Sequence, residues 1–437
     1  MLKDYHLCDH CLGRQVALVG YGLSNNERGK ILKNALVLEL FEKAKQDKEA
    51  AMILQNIAEM GNILAKYSFE KILDKSSKHS LADGRSCHLC QGLFVRLDDI
   101  VKRIVAKLEN EDYQSFLVGA KFAPEVIERE DDLRAKYKIT TGESIKSEFT
   151  REIGKKIMIL TEKEPDFHLP DITIVIDLVS QKTILQKRSL YLYGRYNKFI
   201  RTIPQTRWPC YDCKGIGCIK CDFTGKRYQV SIEELIAEPI LKITGGIGSK
   251  FHGAGREDIN ALMLGNGRPF VLEIQEPKIR SINLKKVEKI VNRKTRGKVK
   301  ISSLSFSNKR KVQEIKSLAK KTRKTYRALV ELDETVSDEQ LSQLEKEFRA
   351  KKIKQQTPRR VLHRRADLER PKTVHEVSVK RIKEMEIEAE ILGEGGLYIK
   401  ELISGDDGRT IPSFASILGC KANCKKLDVI YLHHTDD

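Results

Sequence analysis

Two kinds of residue cluster in this chain could do chemistry. The first joins acids and a base: Arg256, Glu257 and Asp258 sit in a loop between Gly253 and Gly255 on one side and Gly265 and Gly267 on the other, and the loop runs into the apolar stretch 269–274. Glycine admits backbone conformations that other residues resist, so such a loop can hold a side chain at a tightly turned, exposed site. An Arg two positions before an Asp sets a cation beside a carboxylate. The acid then stays ionised, and the guanidinium can also reach a phosphate. A surface turn closed by a salt bridge would use the same residues, and a loop pattern alone does not choose between them.

The second kind is thiol. Cys210, Cys213, Cys218 and Cys221 form two close pairs with Gly215 and Gly217 between them. Four thiolates at this spacing match a tetrahedral zinc ion. A site of cysteines only keeps no open coordination position, so the zinc would be structural, closing a segment too short to have its own core. Cys8 with Cys11, and Cys87 with Cys90, repeat the Cys-x-x-Cys spacing across 75 intervening residues. They could close a second zinc site or remain buried thiols. His10 and His88, inside these pairs, read as non-ligands, and Cys420 and Cys424 as ordinary thiols.

The elements that must position these clusters follow from composition and periodicity. The chain has 437 residues, enough for two or three domains, and a formal net charge of +19. That charge favours a polyanionic partner, nucleic acid before acidic membrane. With aromatics at 6%, any base stacking must come from a few residues. There is no bilayer-length apolar run and no signal-like start, so a soluble cytoplasmic protein is the expectation, and reduced thiols then fit metal ligation better than disulfides.

Apolar spacing of three and four predicts helix over 26–73. Beyond Cys90 the pattern alternates: helix 97–109, strand 115–122, basic helix 143–157, strand 171–178 and strand 183–193. The last leads into Lys187, Arg188, Tyr191, Tyr193, Arg195, Tyr196 and Lys198. Tyrosines interleaved with cations suit single-stranded RNA, and they equally suit an ordinary amphipathic hairpin. Residues 228–437 read as one catalytic domain. Its segment 278–300 holds ten Lys or Arg against Glu288 alone, and 351–372 holds nine against Asp367 and Glu369. Both are candidates for phosphate contact. The expected fold is α+β and multidomain: a zinc-bound helical region at 1–91, an α/β RNA-binding region at 92–205, a zinc knuckle at 206–227, and an α+β catalytic domain with a mixed or antiparallel sheet at 228–437.

The loop resembles the aspartate motif of pseudouridine synthases. Gly255, Arg256, Glu257, Asp258, Met263, Leu264, Gly265, Gly267, Arg268, Pro269 and Phe270 match the archaeal tRNA pseudouridine(54/55) synthase family, whereas Asn260, Ala261 and Leu262 depart from it. The resemblance implies that Asp258 is a nucleophile acting on a T-arm uridine at position 54, 55 or both. It places Lys400 as the basic partner of Asp258, with Arg256 also holding it ionised. It implies that Tyr326, between Lys324 and Arg327, stacks on the target base and is a candidate proton acceptor. Ile399 and Leu427 would wall the uracil pocket. Arg359, Arg360, Arg364 and Arg365 would form a basic loop over RNA, able to contact phosphate bidentately. It also implies a THUMP-like RNA-binding region ahead of the knuckle, gripping the tRNA acceptor end. Structural zinc, no organic cofactor, tRNA as partner, no required protein partner and a monomer complete the expectation.

Two other classes compete. A different THUMP-containing tRNA-modifying enzyme would need an adenosylmethionine or ATP-pyrophosphatase loop, and neither pattern is found. A non-catalytic RNA-binding protein would share the charge, zinc and aromatics, yet would have no need of Asp258.

Overall fold

A computed structural model describes residues 1–72 and 85–433, without the side chains of Lys320, Lys321 and Arg364. The expected helix end at residue 73 and the side chain of Arg364 therefore fall outside the described residues. The chain divides into two compact units, Met1–Arg188 and Ser189–Asp437.

The first unit opens with α1 (Asp9–Gly13), α2 (Asn25–Lys43), α3 (Lys48–Glu59) and α4 (Ile63–Ile72). The single helix expected from residue 26 is thus three helices. The break before α3 is set by Asp47, whose carboxylate accepts from the amide of Glu49 and caps a new start. At the start of α2, Ser24 and Glu27 form a reciprocal capping box.

There follow α5 (Leu97–Leu108), β1 (Ser115–Lys121), α6 (Pro124–Tyr137), α7 (Ile145–Thr161), β2 (Glu164–Pro165), β3 (Ile172–Asp177) and β4 (Lys182–Lys187). Leu97, Ile100, Val101, Ile104 and Leu108 fall on one face of α5 and are buried. In β3 the buried Ile172, Ile174 and Ile176 alternate with outward residues. The sheet order is β2-β1-β3-β4, parallel except for the β3–β4 pair.

The second unit contains β5 (Leu190–Lys198), α8 (Ile232–Thr244), β6 (Gly248–Gly253), β7 (Leu262–Gln275), α9 (Leu284–Lys294), β8 (Val299–Ser307), α10 (Lys309–Lys321) and β9 (Lys324–Leu332). It continues with α11 (Asp338–Glu347), β10 (Lys351–Gln356), β11 (Glu369–Lys383), β12 (Glu386–Gly393), α12 (Ile399–Ser404), β13 (Thr410–Ile411), α13 (Phe414–Leu418) and β14 (Ala422–Leu432). Among the described residues these strands form one mixed sheet in the order β13-β10-β11-β12-β9-β14-β7-β5-β8, with β6 paired to β7. The β7–β14 pair is parallel and the others antiparallel.

Strand β7 lies inside this sheet, and its run Gly267–Leu272 is buried without alternation, as a strand covered on both faces must be. Gly265 in β7 has φ +57°, and a Cβ there would lie 1.8 Å from the Ile430 carbonyl oxygen, so only glycine allows the two backbones to approach. The expected strand 183–193 is corrected: β4 ends at Lys187 in the first sheet, and β5 begins at Leu190 in the second. The architecture is mixed α+β. Among the described residues no helix is long and apolar enough to cross a membrane.

Candidate active site

A cavity of about 710 Å³ opens in the second unit between the 253–258 loop, the start of β9, the 360–365 turn and the start of α12. Asp258 lines it, with 30% of its side chain exposed, so a substrate in the cavity can touch the carboxylate. Lys400 Nζ lies 3.2 Å from Asp258 Oδ2, and Arg360 Nη1 lies 3.2 Å from each carboxylate oxygen. Burial pushes the Asp258 carboxyl up, but Arg360 and Lys400 outweigh it and hold the group below the usual carboxylate range. The result is a partly desolvated carboxylate that stays ionised at neutral pH.

Each cation is itself fixed. Arg360 Nε donates to Glu401 Oε1 at 2.6 Å, and Lys400 Nζ donates to Asn260 Oδ1 at 3.0 Å. Asn260 is one of the departures from the resembled motif. Its neutral amide accepts from Lys400 without competing for the charge, which leaves the ion pair to Asp258.

The apolar lining comes from three elements. Tyr326 faces the cavity from β9, and Leu427 and Val429 face it from β14, where Val429 is the register partner of Tyr326. Ile399, at the first position of α12, is 3% exposed and completes the wall. Burial pushes the Tyr326 phenol up to about 12, with Arg268 opposing and Asp258 adding.

Beneath Asp258 the loop is anchored by a buried network. Tyr196 donates from its hydroxyl to both oxygens of Glu257 at 2.9 and 3.0 Å, and Gln205 Nε2 donates to the Tyr196 hydroxyl at 2.8 Å. Arg268 Nε forms an ion pair with Glu257 Oε2 at 2.9 Å, and its Nη1 donates to the Ala254 carbonyl. Lys198 Nζ donates to the carbonyl of Ile259 at 2.7 Å. Of the two readings open for this stretch, Tyr196 and Lys198 follow the ordinary hairpin: both are fully buried, so no base can stack on that ring and no phosphate can reach that ammonium. Alternation along β5 carried the signal, because Leu192, Tyr196 and Lys198 share one face.

The remaining site residues lie as follows. Arg256 lines the cavity with its guanidinium 4.8 Å over the Trp208 ring, while the ion pairs on Asp258 come from Lys400 and Arg360. Arg365 lines the cavity and donates to the Tyr398 hydroxyl at 2.8 Å. Arg359 points to the surface and pairs with Asp407 at 2.7 Å. Sequence reasoning missed the contact of Arg360 with Asp258, for which no local signal exists across 102 positions. It also left Lys324 and Arg268 without a role, although both flank or belong to the matched motifs.

Both sets of four cysteines are assembled, each with its Sγ atoms within 4.8 Å of one another. The separations are 3.7 Å for Cys8–Cys90, 4.0 Å for Cys210–Cys218, 3.8 Å for Cys213–Cys221 and 3.7 Å for Cys218–Cys221. A tetrahedron with metal–sulfur bonds of about 2.3 Å has edges of about 3.8 Å, so both sets fit one ion each. Backbone amides of Gly217 and Cys218 donate to Cys213 and Cys221 sulfurs, and the buried Arg14 donates to Cys11 Sγ at 2.8 Å, contacts that favour the thiolate form. His10 instead pairs with Glu148.

A family model described as "Pus10, C-terminal" matches residues 191–433, more than half of the 437-residue chain. The chain belongs to the Pus10 family. A second Pus10 model, "Pus10 THUMP domain, archaeal", matches residues 100–177. The "tRNA pseudouridine synthase Pus10" of Methanocaldococcus jannaschii is 44% identical over 437 residues, covering 99% of this chain and 93% of the relative. That of Methanothermobacter marburgensis is 42% identical, covering 98% and 96%. That of Thermofilum pendens is 37% identical, covering 100% and 94%. The Pus10 C-terminal match begins inside β5 and contains the whole cavity and the 210–221 cysteine set. The Pus10 THUMP match begins at Ile100 within α5 and ends with β3, so Cys8, Cys11, Cys87 and Cys90 precede it.

Proposed function

We propose that the chain is a tRNA pseudouridine synthase that isomerises uridine 54, uridine 55 or both in the T-arm, with Asp258 as nucleophile. The observation that carries this reading is the ionised Asp258, held by Lys400 and Arg360 in a cavity walled by Tyr326, Ile399 and Leu427. Pus10 relatives that match essentially the full chain support the substrate class.

The reaction breaks the bond from N1 of uracil to C1′ of the sugar and forms one from C5 to C1′. A proton leaves C5 and one is gained at N1, so no oxidant, reductant or energy source is needed. Asp258 forms the covalent intermediate, at the sugar or at the base. Ile399 and Leu427 exclude water, so the detached uracil stays in place and is not lost to hydrolysis. Tyr326 stacks on the base. Its phenol rests protonated at neutral pH, and its phenolate would be a strong base for the C5 proton. Arg365, Arg359 and Arg256 contact RNA phosphates and offset the few kcal/mol that extrusion of the nucleotide costs. Zinc in each cysteine set would hold its segment folded, with no open position for catalysis.

Purified protein and its Asp258→Ala variant, each incubated with unmodified tRNA transcript, test the proposal. Pseudouridine is mapped by carbodiimide labelling and primer extension. Product at position 54 or 55 from the parent, and none from a variant that still binds tRNA, is the expected result. A variant as active as the parent removes Asp258 as nucleophile, and a parent that binds tRNA without modifying it removes the enzyme.

A further inference from the structure

The cavity holds more positive charge than its acids can balance. Among the described lining residues there are nine Lys or Arg side chains against Glu257 and Asp258. Both acids are already engaged, Glu257 by Arg268 and Tyr196, and Asp258 by Lys400 and Arg360.

The excess concentrates in one corner. Lys324, at the start of β9, is 7% exposed and lies on the same face of the strand as Tyr326. Among the described residues its ammonium has no hydrogen-bond or ion-pair partner, although it lines the cavity. It lies beside the backbone of Gly255, where a Cβ would come within 3.5 Å of Lys324 Nζ and 3.0 Å of Arg268 Nη1. Gly255 has φ +83°, so the loop passes directly over two cations with no side chain between them. Lys372 reaches the same end of the cavity from β11, donating to the Gly395 carbonyl at 2.8 Å.

We propose that Lys324, with Lys372 beside the Gly255 and Gly395–Gly396 turns, forms a phosphodiester subsite for a nucleotide that flanks the target uridine. The inference rests on the RNA-substrate reading above. A buried cation without a partner costs folding free energy unless an anion arrives. A uracil carbonyl is neutral and would not balance the charge, whereas a phosphate oxygen would accept charge-assisted hydrogen bonds from both ammonium groups. The titration of Lys324 agrees with this geometry. Burial first, then Arg268 and Lys372, push it down to about 7 against the pull of Glu257. A phosphate beside it would raise that value again and keep the lysine charged in the complex.

The test uses the full chain, the Lys324→Met and Lys324→Gln variants, and T-arm hairpin RNAs in which one phosphate at a time is a neutral methylphosphonate. Binding and pseudouridine formation are both measured, and melting temperature and zinc content check that each variant is folded. The parent should lose about tenfold in affinity at one linkage next to the target, the order of one charge-assisted hydrogen bond. Both variants should bind the native hairpin about tenfold more weakly and be indifferent to that linkage. Variants that stay as sensitive as the parent at every linkage, or a parent indifferent to all of them, would overturn the subsite. A parent that makes no pseudouridine defeats the proposed reaction separately, because the binding series still reads the subsite.

Discussion

Asp258 Oδ2 and Lys400 Nζ lie 3.2 Å apart, the acid from the loop before β7 and the base from the first turn of α12. Arg360 closes the other side of the carboxylate at the same distance. Three segments far apart in the chain thus set the ionisation of one acid, and the consequences can be measured.

Removing Arg360 shifts the pH dependence in a defined direction. Its cation, with Lys400, depresses the Asp258 pKa, and a nucleophilic carboxylate works only when deprotonated. In Arg360→Met the Asp258 pKa rises, because burial is then opposed by Lys400 with less help. The acidic limb of the kcat/KM profile should move to higher pH, with the alkaline limb unchanged. An unmoved acidic limb would separate Arg360 from the ionisation of Asp258.

Replacing Glu257, which also lines the cavity, with Gln should destabilise the second unit. Arg268 is 1% exposed, so loss of its carboxylate partner leaves a buried charge unpaired, at a cost of about 3–5 kcal/mol. Denaturant unfolding should show that loss. Tyr196→Phe removes only the hydroxyl bonds to Glu257 and Gln205 and should cost less, about 1–3 kcal/mol.

Tyr326→Phe keeps a ring for stacking and removes the hydroxyl. Affinity for tRNA should stay within about threefold, and single-turnover isomerisation should fall by about 10² or more, the range of a lost acid–base group. Full turnover by the Phe variant would leave Tyr326 a stacking role alone.

Metal analysis should find two zinc ions per chain, one for each cysteine set. Cys213→Ser should lower the zinc content by about one equivalent and loosen 206–227 to proteolysis, and Cys90→Ser should do the same for the first unit. A chelator that strips both ions should lower the melting temperature, while the chemistry of Asp258 is unchanged in any folded fraction, because the cysteine sets hold no open coordination position.

Local order within the sequence determined a good part of this protein. Two close Cys-x-x-Cys pairs match the ligand spacing of a tetrahedral zinc site, and the 210–221 set is assembled as that spacing implies. The mixed α+β class and helix α5 were legible from periodicity, since one buried face every 3.6 residues is a local property. So was the glycine-framed loop that carries Asp258. Tertiary structure decided what depends on distant neighbours. Tyr196 and Lys198 could belong to an RNA-facing stripe or to an ordinary hairpin until β5 takes its place between β7 and β8, where their face of the strand is buried, Tyr196 supports Glu257 and Lys198 holds the Ile259 carbonyl. Arg360 looks like one more arm of a basic loop until the chain returns it to Asp258 across 102 positions. Lys324 has no role in the sequence beyond flanking Tyr326, and only the fold brings the Gly255 backbone beside its ammonium. A side chain's charge and size are written in the sequence, but its burial and its partner are fixed by which distant strand lies beside it.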